Sequence, residues 1–331
     1  MPPIVRRLQT LCVYLQLHPR FIRMGQGWNA SYTGSTVWPV IPPNTTYQPH
    51  DVGVPIGFPY RRTRVIGASV ALVFQGTGFY LCFTPGGASY DFFIDGEQST
   101  VPSSTALPAK GTSCDSSGAS NIISHDGMQN DHHNASLTLR SIASSDFEFF
   151  GGGITITVDT KGAPIDDSTV IDDLDHTWTF SPGRTAVDRG WRTDSEPSGL
   201  YHDSWTWNCV YAENITASYS FSGAGGVVLN AAVWRDSRAF TITFDGAVFK
   251  SDATSHWADN TTIFFAQGNL DPTRTYNLTL TNFNADVPDC HTKDEFGQPV
   301  NRFCCQAVDS ITLLRASSRY VLESLTVRLS R

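Results

Sequence analysis

Charge is scarce in this chain, and positive charge is scarcer still. Only 16% of the 331 residues are charged, and 31 acidic side chains outnumber 23 basic ones, for a formal net charge of −8. The longest basic run, Tyr60-Arg61-Arg62-Thr63-Arg64, falls far short of the broad positive face that phosphates require. Nucleic acid is therefore excluded as a partner. No apolar run approaches the roughly 18 to 20 residues that span a bilayer as a helix, so no membrane span is expected within the sequence. Short catalytic motifs are missing too. There is no phosphate-binding P-loop, no dinucleotide fingerprint and no His-Glu-x-x-His. There is no Gly-x-Ser-x-Gly elbow either; Gly87-Ala88-Ser89-Tyr90-Asp91 holds a serine, but at a turn entering a strand. These absences leave open only an enzyme whose paired carboxylates lie far apart in sequence.

What is abundant points to strands. Aromatic residues make up 12% of the chain, and 27 Gly and 18 Pro punctuate it, a composition that suits many strands joined by tight turns and little helix. Alternation is clearest from Asn214 to Gly246. Ala217, Tyr219 and Phe221 alternate with Ser218 and Ser220, and Phe240, Ile242 and Phe244 alternate with Thr241 and Thr243. Each run gives a strand with one buried and one wet face. The stretch from Gly67 to Gly96 repeats this order of alternating strand, Phe-x-Gly turn, apolar strand and closing Asp-Gly. Phe74 matches Phe221 at an offset of 147, and Asp95 matches Asp245 at 150. Leu137 and Leu139 match Leu278 and Leu280 at 141, and Ile154 and Ile156 match Ile311 and Leu313 at 157.

A repeat of this size divides 331 residues into two domains, each long enough to bury a core. Residues 1–27 read as a leader or a misjudged N-terminus, with Arg6 and Arg7 ahead of an apolar stretch broken by Gln9 and Gln16. The first domain is expected over 28–160, a polar linker over 161–170, the second domain over 171–316 and a tail over 317–331. The expected fold is all-β, as two tandem antiparallel jelly-roll β-sandwiches.

Six Asn-x-Ser/Thr sequons, at Asn29, Asn44, Asn134, Asn214, Asn260 and Asn277, exceed the roughly three expected by chance and lean toward a secreted or cell-surface glycoprotein. Seven cysteines include Cys12 in the leader region, and the other six form an even set suited to an oxidising compartment. Cys82 is expected to bond Cys114, and Cys290 to bond Cys304 or Cys305, with Cys209 taking the remaining one.

The opening of the second half carries a resemblance. Ile171-Asp172-Asp173-Leu174-Asp175, an aromatic strand ending Thr179-Phe180-Ser181, a Trp ten residues on, then strand-Phe-x-Gly and strand-Asp-Gly resemble the tandem galactose-binding-domain-like jelly rolls of secreted or surface-anchored proteins from mushroom-forming fungi. In that family the opening reads Asp-Asp-Thr-Asp-Pro, so Leu174 and His176 depart from it. In the first half Ala30-Ser31-Tyr32-Thr33-Gly34 to Trp38 matches the aromatic strand, with no acidic run before it. The resemblance implies a fold, a secreted or surface location and, in many members, a membrane helix that follows the two copies; it implies no catalytic residues.

Three clusters have ligand chemistry. His125, Asp126, Asp131, His132 and His133 combine imidazoles and carboxylates, but at no standard metal spacing, and such a run reads first as a solvated loop. Asp166, Asp167, Asp172, Asp173 and Asp175 offer oxygens to a structural calcium, the one cofactor considered, though carboxylates capping turns explain them more simply. Trp191, His202, Asp203, Trp205, Trp207, Trp234, Arg235, Asp236 and Trp257 gather rings and polar groups in the second half. Rings stack on the apolar face of sugars while polar groups hydrogen-bond the hydroxyls, so these nine are the candidate glycan site. Trp205 and Trp207, two apart on a strand, also fit a shared core face. The function expected is an extracellular binding module for glycans or cell-wall components. The alternatives are a purely structural surface protein and a carbohydrate-active enzyme.

Overall fold

The structure, a computed structural model, describes residues 11–17, 23–24, 27–32, 59–99, 114, 118–161, 163–186, 189–195, 200–233, 237–253, 259–288, 290, 292–293, 299–300 and 304–317. Of the expected features, Asn44, most of the Ser-rich stretch after Gly96, and the tail beyond 317 lie outside these residues. The protein is all-β and antiparallel. Its first half carries β1 (Leu11–Leu17), β2 (Arg23–Met24), β3 (Asn29–Tyr32), β4 (Pro59–Thr63), β5 (Ser69–Thr84), β6 (Ser89–Ile94), β7 (Glu97–Gln98), β8 (Asn121–Ser141) and β9 (Phe147–Val158). The second half carries β10 (Ile165–Asp172), β11 (Thr179–Ser181), β12 (Arg192–Ser195), β13 (Ser204–Asn208), β14 (Thr216–Phe221), β15 (Gly226–Val233), β16 (Ala239–Phe244) and β17 (Ala247–Asp252). It continues through β18 (Asp259–Gln267), β19 (Tyr276–Thr281), β20 (Thr292–Lys293), β21 (Pro299–Val300), β22 (Gln306–Val308) and β23 (Ser310–Ala316). Among the described residues no helix is long and apolar enough to cross a membrane.

Two sheets of the second half face each other, ordered β10-β23-β15-β18 and β11-β14-β19-β16-β17. Their inward residues, among them Val227, Leu229, Ile311 and Leu313 from one and Ala217, Ile242, Leu278 and Leu280 from the other, form one buried cluster. That is a β-sandwich core built by period-two alternation. The first half is a single nine-stranded sheet, because β5 and β8 run the whole way through it. β5 bends at a bulge between Gly76 and Gly78. Val70, Leu72 and Phe74 are buried before the bulge, and Phe79, Leu81 and Phe83 after it, all in the same cluster. The extra residue switches the buried positions from even to odd, so the strand turns while keeping one face inside. A Cβ on Gly76 would lie 2.4 Å from the Thr155 carbonyl oxygen, so the crossing needs glycine there.

The pairings of one half recur in the other. Val70 and Phe92 both lie opposite Leu137, as Ala217 and Ile242 both lie opposite Leu280. The hairpins β6–β7 and β16–β17 close on Asp95-Gly96 and Asp245-Gly246, all four with positive φ (52°, 84°, 47° and 86°). In both turns the Asp amide donates across to a sequon carbonyl, Asp95 to Asn134 at 2.8 Å and Asp245 to Asn277 at 3.0 Å. β2 sets Arg23 and Met24 opposite Ala71 and Val70, as β11 sets Thr179 and Phe180 opposite Ser218 and Ala217. By register, then, residues 23–24 take the β11 position; of the Ala30 to Trp38 stretch, Ala30 to Tyr32 pair with β4, and the rest lies outside the described residues. β1, in the region read as a leader, lies along β9 as β10 lies along β23.

The halves also pack on each other. Val228 and Leu314 of the second half belong to the buried cluster of the first, and Ile165, Ile263 and Ala266 pack against it. Asn269 donates its amide to the Thr157 carbonyl at 2.6 Å. Three disulfides are formed, Cys82–Cys114, Cys209–Cys305 and Cys290–Cys304, which settles the pairing the sequence left open.

Candidate functional site

The acidic opening of the second half organises one end of the sandwich. At the end of β10 the chain turns, with Asp172 Oδ1 accepting the Leu174 amide and Asp175 Oδ1 the Thr177 amide, both at 2.8 Å. These are carboxylate-capped turns. Asp173 is fully buried. It accepts the Ser204 hydroxyl at 2.6 Å on one oxygen and the Thr206 hydroxyl at 2.5 Å on the other, which ties β10 to β13. Burial pushes its pKa up, the two hydroxyls pull it back, and neighbouring Asp172 adds to the rise. The Arg184 guanidinium donates to the Asp173 main-chain carbonyl and lies 4.4 Å over the Phe180 ring.

Asp309, between β22 and β23, is the second closed-off carboxylate, only 1% exposed. Its amide donates to the Asn230 carbonyl at 3.1 Å, and its Oδ1 accepts the Tyr201 amide at 2.8 Å. Burial first, then the charges of Asp173 and Asp172, raise its pKa to about 7. The Tyr201 bond anchors a short turn, Tyr201–Asp203, in which His202 and Asp203 hold φ at 53° and 56°. Non-glycine residues adopt this left-handed region at a cost, and here the turn is held by the Tyr201 bond and by the approach of His202 Nδ1 to Asp172 Oδ2 at 2.8 Å. The turn stacks the Tyr201 and His202 rings at 4.1 Å, with the His202 side chain 68% exposed.

Below this pair the outer face of the β10-β23-β15-β18 sheet forms a concavity of about 310 Å³, lined by Val170, Leu200, Tyr201, Asn230, Asp309, Ser310 and Thr312. Its floor is polar by alternation: Leu229 and Ala231 point into the core, so Asn230 between them points outward. Asn230 Nδ2 donates to the Ser310 hydroxyl at 3.3 Å and the Thr312 hydroxyl at 3.4 Å. A second, mostly apolar cavity of about 140 Å³ lies between the halves, beside Phe74, His132, Phe249 and Phe265.

Of the nine candidate residues, His202 and Asp203 belong to the turn whose first residue, Tyr201, lines the concavity, but neither lines it itself. Trp191 is a correction: it is 0% exposed, packs on Phe180 in the core and donates its Nε1 to the Ser181 carbonyl at 3.2 Å. A ring enclosed on both faces cannot stack on a sugar. Trp205 is buried with Leu200, Ala232 and Ala307, and half-buried Trp207 packs on the same cluster, the shared face that their spacing allowed. Trp207 also donates its Nε1 to Asp194 at 2.7 Å beneath the Arg192 guanidinium. Trp234, Arg235, Asp236 and Trp257 lie outside the described residues. The site residues that the sequence reading missed are Tyr201, Asn230, Asp309, Ser310 and Thr312. Asn230 left a faint signal, as the one amide in the apolar run Gly226–Val233.

The cluster His125 to His133 is not a loop but part of β8, paired with Phe79 to Phe74 of β5. Its His133 ring contacts Asp95 Oδ2 at 2.8 Å and the Gln129 carbonyl at 2.8 Å. Among the described residues no three His, Cys, Asp or Glu side chains are grouped to hold a metal ion.

No protein-family model matches the chain, and no curated protein matches it. Solved structures similar to it include the plant receptor-like kinase ANX2, at 10% identity over 93% of this chain and 97% of that one, with a TM-score of 0.28. The CBM22 tandem of Paenibacillus barcinonensis Xyn10C is 11% identical over 91% and 98%, with a TM-score of 0.27. The major capsid protein P2 of bacteriophage PM2 is 8% identical over 78% and 95%, with a TM-score of 0.19. Likeness at this level carries no argument about function, which rests on the chain's own residues.

Proposed function

We propose that the chain is an extracellular recognition module, built from two copies of one β-sandwich unit, that binds carbohydrate in the concavity beneath Tyr201 and His202. The observation that carries this reading is the stacked Tyr201–His202 pair beside the Asn230, Ser310 and Thr312 floor. A ring face to stack on and convergent hydrogen-bonding groups are the two things a sugar needs, and about 310 Å³ falls at the lower end of small-ligand sites, roughly 300 to 1,000 Å³. Catalysis is less well served. Asp173 is wrapped by two hydroxyls and Asp309 is bound to the Tyr201 amide, whereas a hydrolase needs two carboxyl groups flanking the substrate.

The matched registers of β5, β6 and β8 with β14, β16 and β19 support the duplication. Three disulfides support an oxidising compartment. Of the sequons, Asn134, Asn214 and Asn277 are exposed and open to glycosylation. A glycan array with the intact chain, repeated with Tyr201→Ala, tests the site. Loss of one stacking contact, about 1 kcal/mol, should weaken binding between roughly twofold and tenfold. Unchanged affinity would remove the concavity from consideration, and no binding to any glycan would leave a structural role in front.

A further inference from the structure

Asp309 is the one carboxylate among the residues lining the concavity. Its Oδ1 is taken by the Tyr201 amide, while its Oδ2 has the Ser310 hydroxyl at 3.4 Å, a weak contact. The charges around it are unfavourable. Asp173 at the end of β10 is fully buried, and Asp172 beside it is 16% exposed in its side chain. The two basic side chains nearby face elsewhere: Arg184 donates to the Asp173 carbonyl and covers Phe180, and the His202 ring lies against Asp172. A buried carboxylate with an under-used oxygen, at the wall of an open concavity and without a cation of its own, calls for a positive hydrogen-bond donor.

We propose that the concavity selects glycans bearing a free amine, with the ammonium of an unacetylated amino sugar set against Asp309 and its ring against Tyr201. This rests on the carbohydrate reading and narrows it to a substrate class. A charge-assisted hydrogen bond is about twice as strong as a neutral one, so an amine outbids a hydroxyl at this position. A uronate or other acidic sugar would meet Asp309, with the charges of Asp173 and Asp172 behind it, and be rejected. Metal is the weaker occupant, since the described residues hold no three-ligand cluster. The same geometry predicts proton linkage. Because burial and its neighbours hold Asp309 near 7, an arriving ammonium favours the ionised form, displaces a proton, and binds more tightly at pH 7 than at pH 5.

Calorimetric titration of the intact chain tests this with three probes of equal length: oligomers of glucosamine, of N-acetylglucosamine and of glucose. The glucosamine oligomer is expected to bind about tenfold tighter than its acetylated counterpart, more tightly at pH 7 than at pH 5, and to release protons at pH 5, where its amines are already fully protonated, when buffers of different ionisation enthalpy are compared. In Asp309→Asn, a near-isosteric change, the preference should disappear. Equal binding of the amine and acetylated probes would overturn the inference and leave the carbohydrate reading standing, whereas no binding by any probe would overturn both. A preference that survives in Asp309→Asn would assign it to the chain's net negative charge instead, which also overturns the inference. Proton release is read on the wild-type chain, so its absence decides against the inference even if the variant fails to fold.

Discussion

At the scale of single residues, Asp309 and Asp173 set the pH behaviour of the second half. Both have pKa values above the ordinary 3.8, Asp309 at about 7, with burial as the first cause. A raised carboxylate favours the folded state when protonated, so its stability is present at low pH and lost as pH rises through about 7. The thermal midpoint should therefore fall as pH rises from about 4 to about 7, between the unfolded and folded pKa values, and level off above, by roughly 2 to 4 °C for each kcal/mol lost. Asp309→Asn keeps the shape without the charge and should flatten that fall. A variant with the wild-type slope would show that Asp309 does not titrate in this range. Individual residues were only partly legible in the sequence. His202 and Asp203 were singled out because they sit in a ring-rich stretch, but Asp309 contacts Tyr201 across 108 positions, and no local pattern reports such a meeting. Trp191 was misplaced because a Trp near turns looks available for stacking, whereas a ring of that area is more stable enclosed in a core.

At the scale of elements, the two Asp-Gly hairpins carry the plainest signal in the chain. Gly96 and Gly246 have φ of 84° and 86°, and a Cβ on either would meet nothing within 4 Å. Changing either to Ala therefore costs backbone conformation alone, about 1 to 2 kcal/mol. The same loss is expected at both sites in equilibrium unfolding, and a cost at one but not the other would argue against equivalent turns. Alternation and the Asp-Gly pairs made these strands visible in advance. Register was less visible. The leucine offset of 141 read from sequence is 143 by the ladders, which put Leu280 where Leu137 stands. A slip of two residues returns every side chain to its original face, so hydrophobic pattern cannot detect it. Nor could periodicity show that β5 and β8 are continuous where β14 and β15, or β18 and β19, are separate. That difference depends on the Gly76 to Gly78 bulge and its partners on β8 and β9.

At the scale of the whole molecule, the halves behave as one body in energetic terms. Val228 and Leu314 close the first core, and a Cβ on Gly268 would lie 2.3 Å from the Thr157 carbonyl oxygen. Gly268→Ala should press the halves apart and lower stability. Residues 163–331 expressed alone should expose Val228, Leu314, Ile263 and Ala266 and aggregate, whereas the intact chain unfolds in one transition. Two separate transitions with the wild-type chain, the first unaffected by Gly268→Ala, would contradict this coupling. The same packing covers Val228 and Leu314 on the outer β10-β23-β15-β18 face, and the Tyr201 concavity opens on that face at Asn230 and Thr312. Amide chemical shifts of the intact chain, recorded while a bound oligosaccharide is titrated in, test that placement most directly. The expected changes centre on Tyr201 to Asp203, Asn230 and Ser310 to Thr312; changes confined to other surfaces, with these amides unmoved, would contradict the account.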